Sequence, residues 1–407
     1  MKKVLSMALA ALMLLTGLSA LAEEPGVLDY TPLRDLAKDN GFYIGGAFGY
    51  ENMGDPMYMM TLKHHFDTVT CTNEMKAYSL LDQRASKAST DGMPRMNFTK
   101  ADKMVEWAQK CGLKVRGHVL VWDAYMTQWF FHEDYDTSKP IADRETLKRR
   151  MQSYIEQVMM HFEDKFPGVV YCWDVVNEAV GDSATEYMPD DPRHVRTMRS
   201  GGINPFYEYV GPDYVELAFL YAYETRDLLG ADIKLFYNDY NMFNMKKRSA
   251  AIELVKSINS YATDENGNPI RLCDGVGMQG YIGGYGTQSG CMKESNLQDI
   301  KKSIQMYHDE LGVQVEITEM AVRNYKAELE TEHAIFYQKL FKVFKSINRG
   351  QEEPILANVA IWGLVDRPYE PTTSYGYRQN GTHGGLFGWQ CTVKEAFKLV
   401  HEELAAD

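Results

Sequence analysis

The chain has 407 residues, 45% hydrophobic and 24% charged, a composition that excludes a disordered, collagen-like or polytopic membrane protein. Against 43 basic residues stand 56 acidic ones, a net charge of −13, which suits neither nucleic acid nor an anionic membrane and leaves a neutral substrate as the better partner. Aromatic residues make up 12%, with 26 tyrosines, more than a core requires and a hint of a stacking surface.

Lys2 and Lys3, the apolar run Val4–Leu18 and the small-x-small step Ala20-Leu21-Ala22 have the form of a signal peptide. The first 22 residues are therefore expected to be removed and the protein secreted, or periplasmic where there is an outer membrane. Short apolar or β-branched runs follow at Phe42–Phe48, Asp67–Thr72, Lys114–Trp122, Val169–Asn177, Lys234–Tyr240, Gly275–Ile282, Gln314–Glu319 and Asn358–Val365. Helical spacing fills the gaps at Ala101–Lys110, Arg144–Phe162, Asp213–Leu229, Lys247–Ser260, Leu297–Leu311 and Glu332–Ile347. Thr99 with Asp102 reads as a capping box, and Gly112, Gly168, Gly230, Gly312 and Gly350 read as helix stops. Eight apolar strands alternating with helices predict an α/β fold, a single (β/α)8 TIM barrel over residues 23–407 with no linker and no second domain.

Three loops are long: Asp123–Asp143, Ala179–Pro212 and Arg367–Trp389, each after a strand at the end where barrel enzymes build their sites. The first gathers Tyr125, Trp129, Phe130, Phe131 and Tyr135 behind Trp122, which is either loop packing or a sugar platform; Trp122, Trp129 and Trp362 are expected at the barrel mouth. The six cysteines (Cys71, Cys111, Cys172, Cys273, Cys291, Cys391) show no metal-ligand spacing, and their pairing is open. Asp264, Asn266 and Asn268 mimic a calcium loop, but Pro269 stands where that loop needs glycine, so a surface turn is expected. No metal or organic cofactor is called for.

Glu178 closes the fourth run and Glu319 the seventh. A carboxylate ending an apolar parallel strand is costly unless it points into the barrel mouth, where two such acids converge. Converging carboxylates are the machinery of glycoside hydrolysis: at ~5–5.5 Å one is the nucleophile and the other the acid and then the base. Salt-bridged or solvated acids are the plainer reading.

Eight short motifs stand at successive strand ends. They are IGGAF in the first strand, NEMK at Asn73–Lys76, RGHVLVW at Arg116–Trp122, WDVVNEA at Trp173–Ala179, NDYN at Asn238–Asn241, MQG at Met278–Gly280, ITE at Ile317–Glu319 and WGLVDR at Trp362–Arg367. In this order they give a chain that resembles glycoside hydrolase family 10, the retaining endo-β-1,4-xylanases. The resemblance implies a (β/α)8 barrel, with Glu178 as acid/base and Glu319 as nucleophile. It implies that Asn177 bonds the sugar 2-hydroxyl, that His118, Trp122 and Gln279 wall the subsite of the attacked sugar, and that Trp362 floors it. Asn73 and Lys76 would touch the next sugar on the non-reducing side, and Tyr240 and Asn241 would face the leaving group. The implied partner is xylan or a xylo-oligosaccharide, with no nucleic acid or membrane, and the protein is expected to be a monomer.

The departures from the family pattern cluster. Thr72 replaces a Glu, and Asp123 and Tyr125 replace a His and a Gln after Trp122. Tyr281 replaces a His that hydrogen-bonds the nucleophile, and Ala321 replaces the Asp supporting that His. The coupled loss suggests a rebuilt site in which Tyr281 donates a neutral hydrogen bond to Glu319. Three readings stand: an endo-acting retaining xylanase, a retaining β-glycosidase with altered glycone preference, and a non-catalytic carbohydrate-binding homologue. The last is disfavoured by the presence of Glu178, Glu319 and Asn177.

Overall fold

The apolar runs pair edge to edge in a computed structural model, which describes residues 24–182, 190–191, 198–199, 202–282, 292–367 and 382–406. In chain order the strands are β1 (Tyr43–Phe48), β2 (Thr68–Cys71), β3 (Lys114–Gly117), β4 (Val170–Asn177), β5 (Lys234–Asp239), β6 (Gly275–Met278), β7 (Gln314–Val322) and β8 (Leu356–Ile361). Every neighbouring pair is parallel, and β8 returns to β1 with Tyr43 opposite Asn358 and Gly46 opposite Ile361. The result is a closed (β/α)8 barrel. The proposed signal peptide and Cys291 lie outside the described residues, as do parts of the second and third long loops.

All six predicted helices form, at Thr99–Cys111, Arg144–Lys165, Tyr214–Leu229, Met245–Asn259, Glu294–Leu311 and Glu330–Asn348. The structure adds Pro56–His65 between β1 and β2 and Glu395–Ala405 after β8. The first of these begins on Asp55, whose Oδ1 accepts from the N–H groups of Met57 and Tyr58, with Pro56 in the first turn. Thr99 does not cap its helix as expected. It is the first helical residue, its N–H bonds Asn97 Oδ1, and Asp102 instead holds His161 and Lys165. Gly112, Gly230 and Gly312 are left-handed C-caps, while Gly168 and Gly350 lie just past their helix ends.

Apolar side chains do not fill the barrel interior alone. Arg116 on β3 is buried, donating to Asp174 of β4 through Nε (3.1 Å) and Nη2 and to Glu316 of β7 through Nη1 (2.9 Å). Glu316 also accepts from the Tyr171 hydroxyl (2.8 Å) and from Asn358 Nδ2 (3.3 Å). Burial pushes the Asp174 carboxyl up, but the Arg116 guanidinium and the His118 ring outweigh it and hold it below the usual carboxylate range. At Glu316 burial wins, and the carboxyl is raised. Gly277 leaves room for this layer, because a Cβ there would lie 2.3 Å from Asn238 Oδ1 and 3.0 Å from Arg116 Nη2. The network spans four strands and fixes their mutual register, a role better supported for buried ions than added stability.

Among the described residues, Cys71, Cys111, Cys172, Cys273 and Cys391 are free thiols. Asp264 Oδ1 accepts from the N–H groups of Asn266 and Asn268, which makes that segment the expected surface turn. No helix among the described residues is long and apolar enough to cross a membrane.

Candidate active site

Glu178 follows the last residue of β4 in left-handed backbone (φ 55°), and its N–H bonds the Asn238 carbonyl of β5. Glu319 sits where β7 slips register against β8 between Ile317 and Met320, a bulge of the kind that re-aims side chains at active sites. Glu319 is 5% exposed and Glu178 is half-buried.

Side-chain amides connect the two acids. Gln279 Nε2, just after β6, donates to Glu178 Oε1 (2.9 Å) and to Asn177 Oδ1 (3.2 Å). Asn238 Nδ2 at the end of β5 donates to the same Asn177 oxygen (2.9 Å) and to Glu319 Oε1 (3.2 Å). Each amide thus uses both its hydrogens, and Thr318 Oγ1 donates to Asn238 Oδ1 (2.7 Å) to fix its orientation. Asn177 is buried, its oxygen is doubly occupied, and its Nδ2 has no partner among the described residues. That nitrogen is a donor available to a ligand hydroxyl. The Tyr281 hydroxyl lies 2.7 Å from Glu319 Oε2, as the coupled sequence departures suggested.

The walls are aromatic. His118 is held by Asp174 Oδ2 at 2.9 Å, with its ring centre 5.8 Å from Trp122 and 6.0 Å from Trp362. The backbone N–H of Trp362 bonds the Met320 carbonyl, so this residue is tied to the strand that bears Glu319. Lys76 is buried with Nζ 3.2 Å from Asn73 Oδ1, 4.3 Å from the Tyr125 ring centre and 5.1 Å from that of Trp122. Burial lowers its pKa, and the charges of Glu319, Glu178 and Glu74 oppose that shift. Tyr125 packs on Trp122 (4.4 Å) and on Tyr78 (5.4 Å), in a short turn that also carries Asp123.

Tyr240 and Asn241 belong to a second cluster. Lys247 Nζ bridges Asp239 and Asp182 (2.8 Å each) and lies 3.6 Å over the Tyr240 ring, while Asn241 Nδ2 reaches Asp182 Oδ2 at 3.2 Å.

One expectation is corrected. Among the described residues Trp129 makes no ring contact with Trp122 or Trp362; its ring packs edge-on against Tyr135 (5.7 Å), next to the buried Phe130 and Phe131. Arg150 Nη1 donates to the Phe130 and His132 carbonyls and so ties this part of the loop to a helix. Most of the loop aromatics are therefore loop packing, and Trp122 and Tyr125 alone of that group join the site. Asn238, Asp174 and Lys247 were not singled out from the sequence. Asn238 opens the NDYN motif, which is the signal that was available; its position opposite Asn177 appears only with the strand register.

Among the described residues Glu330, Asp366 and His383 come close enough together to hold a metal ion. They are already bonded internally: Lys394 Nζ meets both Asp366 oxygens, and His383 Nδ1 meets Glu330.

The family model described as glycosyl hydrolase family 10 matches residues 32–403. The chain belongs to that family. Family-10 relatives include the endo-1,4-beta-xylanase B of Butyrivibrio fibrisolvens, 30% identical over 90% of this chain and 52% of that protein. The endo-1,4-beta-xylanase A of Thermotoga neapolitana is 33% identical over 82% of this chain and 28% of that protein. The chain thus spans about half the length of the first relative and less of the second. Among solved structures, the CBM22-1 and GH10 modules of a Clostridium thermocellum endo-1,4-beta-D-xylanase, complexed with xylohexaose, superpose with a TM-score of 0.75. They share 26% identity and are matched over 93% of this chain and 69% of theirs.

Proposed function

We propose that the protein is a secreted endo-1,4-β-xylanase that cleaves the xylan backbone with retention of configuration. The observation that carries this reading is the amide chain that holds Glu178 and Glu319 at the mouth of one barrel. In the first step Glu178 gives its proton to the glycosidic oxygen while a Glu319 oxygen attacks the anomeric carbon. The carbon–oxygen bond to the leaving sugar breaks, and a glycosyl ester forms on Glu319. In the second step Glu178, now a carboxylate, takes a proton from water whose oxygen attacks the same carbon and releases Glu319. Two inversions restore the β configuration.

Asn177 Nδ2 supplies the donor for the sugar 2-hydroxyl, with His118, Trp122, Gln279 and Trp362 around the attacked residue. Asn73 and Lys76 serve the next sugar, and Tyr240 and Asn241 the leaving side. Proton and nucleophile both come from side chains, so the reaction runs without a metal or cofactor. Xylan as substrate is supported by the family and by the names of the relatives, and secretion by the basic and apolar start of the chain. The protein acts as a monomer. The changes at Thr72, Asp123 and Tyr125 favour, as a second reading, a retaining β-glycosidase of altered glycone preference.

Parallel digests of xylan, mixed-linkage glucan and carboxymethyl cellulose, followed by product size and by NMR of the anomeric proton, test the proposal. Short xylo-oligosaccharides released first as β-anomers are expected; reducing ends from a glucan alone, or α-anomers first, refute it. Glu319→Ala is expected to abolish turnover and keep oligosaccharide binding.

A further inference from the structure

Both oxygens of Glu319 are held by neutral donors, Oε1 by the Asn238 amide at 3.2 Å and Oε2 by the Tyr281 hydroxyl at 2.7 Å. Backbone geometry brings the phenol there. Gly280 turns the chain in left-handed backbone (φ 77°), where a Cβ would meet Ile317 Cγ2 at 2.9 Å. Tyr281 and Ile282 then pair in parallel with Ala321 and Val322 of β7. Glu319 and Ala321 share one face of that strand by its two-residue period, and Arg323 follows directly after its end. Tyr281 therefore stands against the small Ala321, reaches back to Glu319, and is 8% exposed, with the Arg323 guanidinium 5.1 Å from its ring centre.

We propose that Tyr281 is a positioning residue for the nucleophile, a neutral donor fixed on Glu319 Oε2, with Ala321 giving its ring space and Arg323 lying over the ring. This rests on the reading of Glu319 as nucleophile. Among the described residues, the other charged or titratable groups around Glu319 are Lys76 after β2, His118 after β3, Glu178 after β4 and Arg323 just past the end of β7, with Arg116, Asp174 and Glu316 deeper in the barrel. A phenol keeps its proton through the range where an imidazole titrates, so the bond to the nucleophile persists from acid to mildly alkaline solution.

The test is the pH profile of kcat/KM for the wild type, Tyr281→Phe and Tyr281→His, on an aryl β-glycoside of whichever sugar the enzyme cleaves. Tyr281→Phe is expected to lower kcat/KM about 10- to 100-fold, the loss of one hydrogen bond to a charged acceptor. Its pH profile should change shape, because the donor lost acts on a titratable acceptor, and KM should change little. Tyr281→His is expected to restore most of the rate and to add an ionisation near pH ~6.5. A Phe variant with the wild-type profile, or one that loses activity equally at every pH, overturns the proposal. So does a His variant without the new ionisation, which also decides the matter if the Phe variant does not fold. Wild-type cleavage of a glucoside and not a xyloside would overturn the substrate reading and leave this test intact.

Discussion

Replacing Asn238 by alanine removes the donor shared by Asn177 and Glu319. The bond to the charged Glu319 oxygen (3.2 Å) contributes about 1.5–3 kcal/mol, and the one to Asn177 (2.9 Å) about 1 kcal/mol. Realised in the transition state, the two amount to roughly 2.5–4 kcal/mol, or about 100- to 1000-fold in kcat/KM at ~1.4 kcal/mol per decade. Asn177 keeps its second donor, Gln279, so the lower figure is expected. The partner bond from Thr318 to Asn238 Oδ1 counts towards folding, and its loss should appear as a lower Tm. Asn238→Asp keeps the shape but sets a second carboxylate 3.2 Å from Glu319 Oε1. At an effective dielectric of about 20 that adds about 5 kcal/mol of repulsion, so this variant should be the worse of the two at neutral pH. Initial rates on an aryl xyloside and on xylan, paired with calorimetric Tm, decide the matter. A folded Asn238→Ala within about three-fold of wild type, or an Asp variant as active as the Ala one, refutes the reasoning.

Gly277→Ala should destabilise by about 1–3 kcal/mol or more, because its methyl meets Asn238 and Arg116 inside the barrel; unchanged Tm would contradict the packing described. His65 accepts the Leu33 N–H at Nδ1 and pairs with the Val27 carbonyl through Nε2, and burial lowers its pKa to about 4. The unfolded chain takes up that proton near pH ~6.5 and the folded one only near 4, so stability is full above this window and falls by roughly 3 kcal/mol as pH drops through it. Urea titrations at pH 7 and pH 5 should show a smaller loss for His65→Gln than for wild type, and equal losses would count against the assignment. Lys76→Met is expected to raise KM for oligosaccharides about ten-fold with little change in kcat, a fall confined to kcat placing Lys76 elsewhere in the reaction.

Strands were legible because each lies in a short apolar or β-branched run, and all eight overlap their predicted places. Pro56–His65 was not, since Tyr58, Met59, Thr61, Leu62 and His65 make a buried face too polar to read as helical periodicity. The start signal at Asp55-Pro56 was there to be used. Glu178 and Glu319 stood out because charge at the end of an apolar run demands an explanation, although β7 runs on past Glu319 to Val322 and it is the register slip there, and not the strand's end, that marks its position. Asn238 carries no charge, and its role depends on the register of β5 against β4, which no local pattern encodes. The buried Arg116, Asp174 and Glu316 set was hidden for a similar reason: its members lie far apart in the chain and meet only when the barrel closes. By contrast the bond from Tyr281 to Glu319 was visible in outline, because two departures from the family pattern changed together.

The clasp between the two acids runs through three amides, Gln279, Asn177 and Asn238, joined by hydrogen bonds between neutral side chains. Dissolved salt screens exposed charges within ~10 Å at 0.1 M, and pairs such as Lys110 with Glu106 on the surface lose their attraction in brine. Neutral buried donors feel no such screening. On the proposed substrate, an uncharged polymer, turnover is expected at much the same rate in dilute buffer as in strong electrolyte, the spacing of the two acids being set by a material that ionic strength cannot soften.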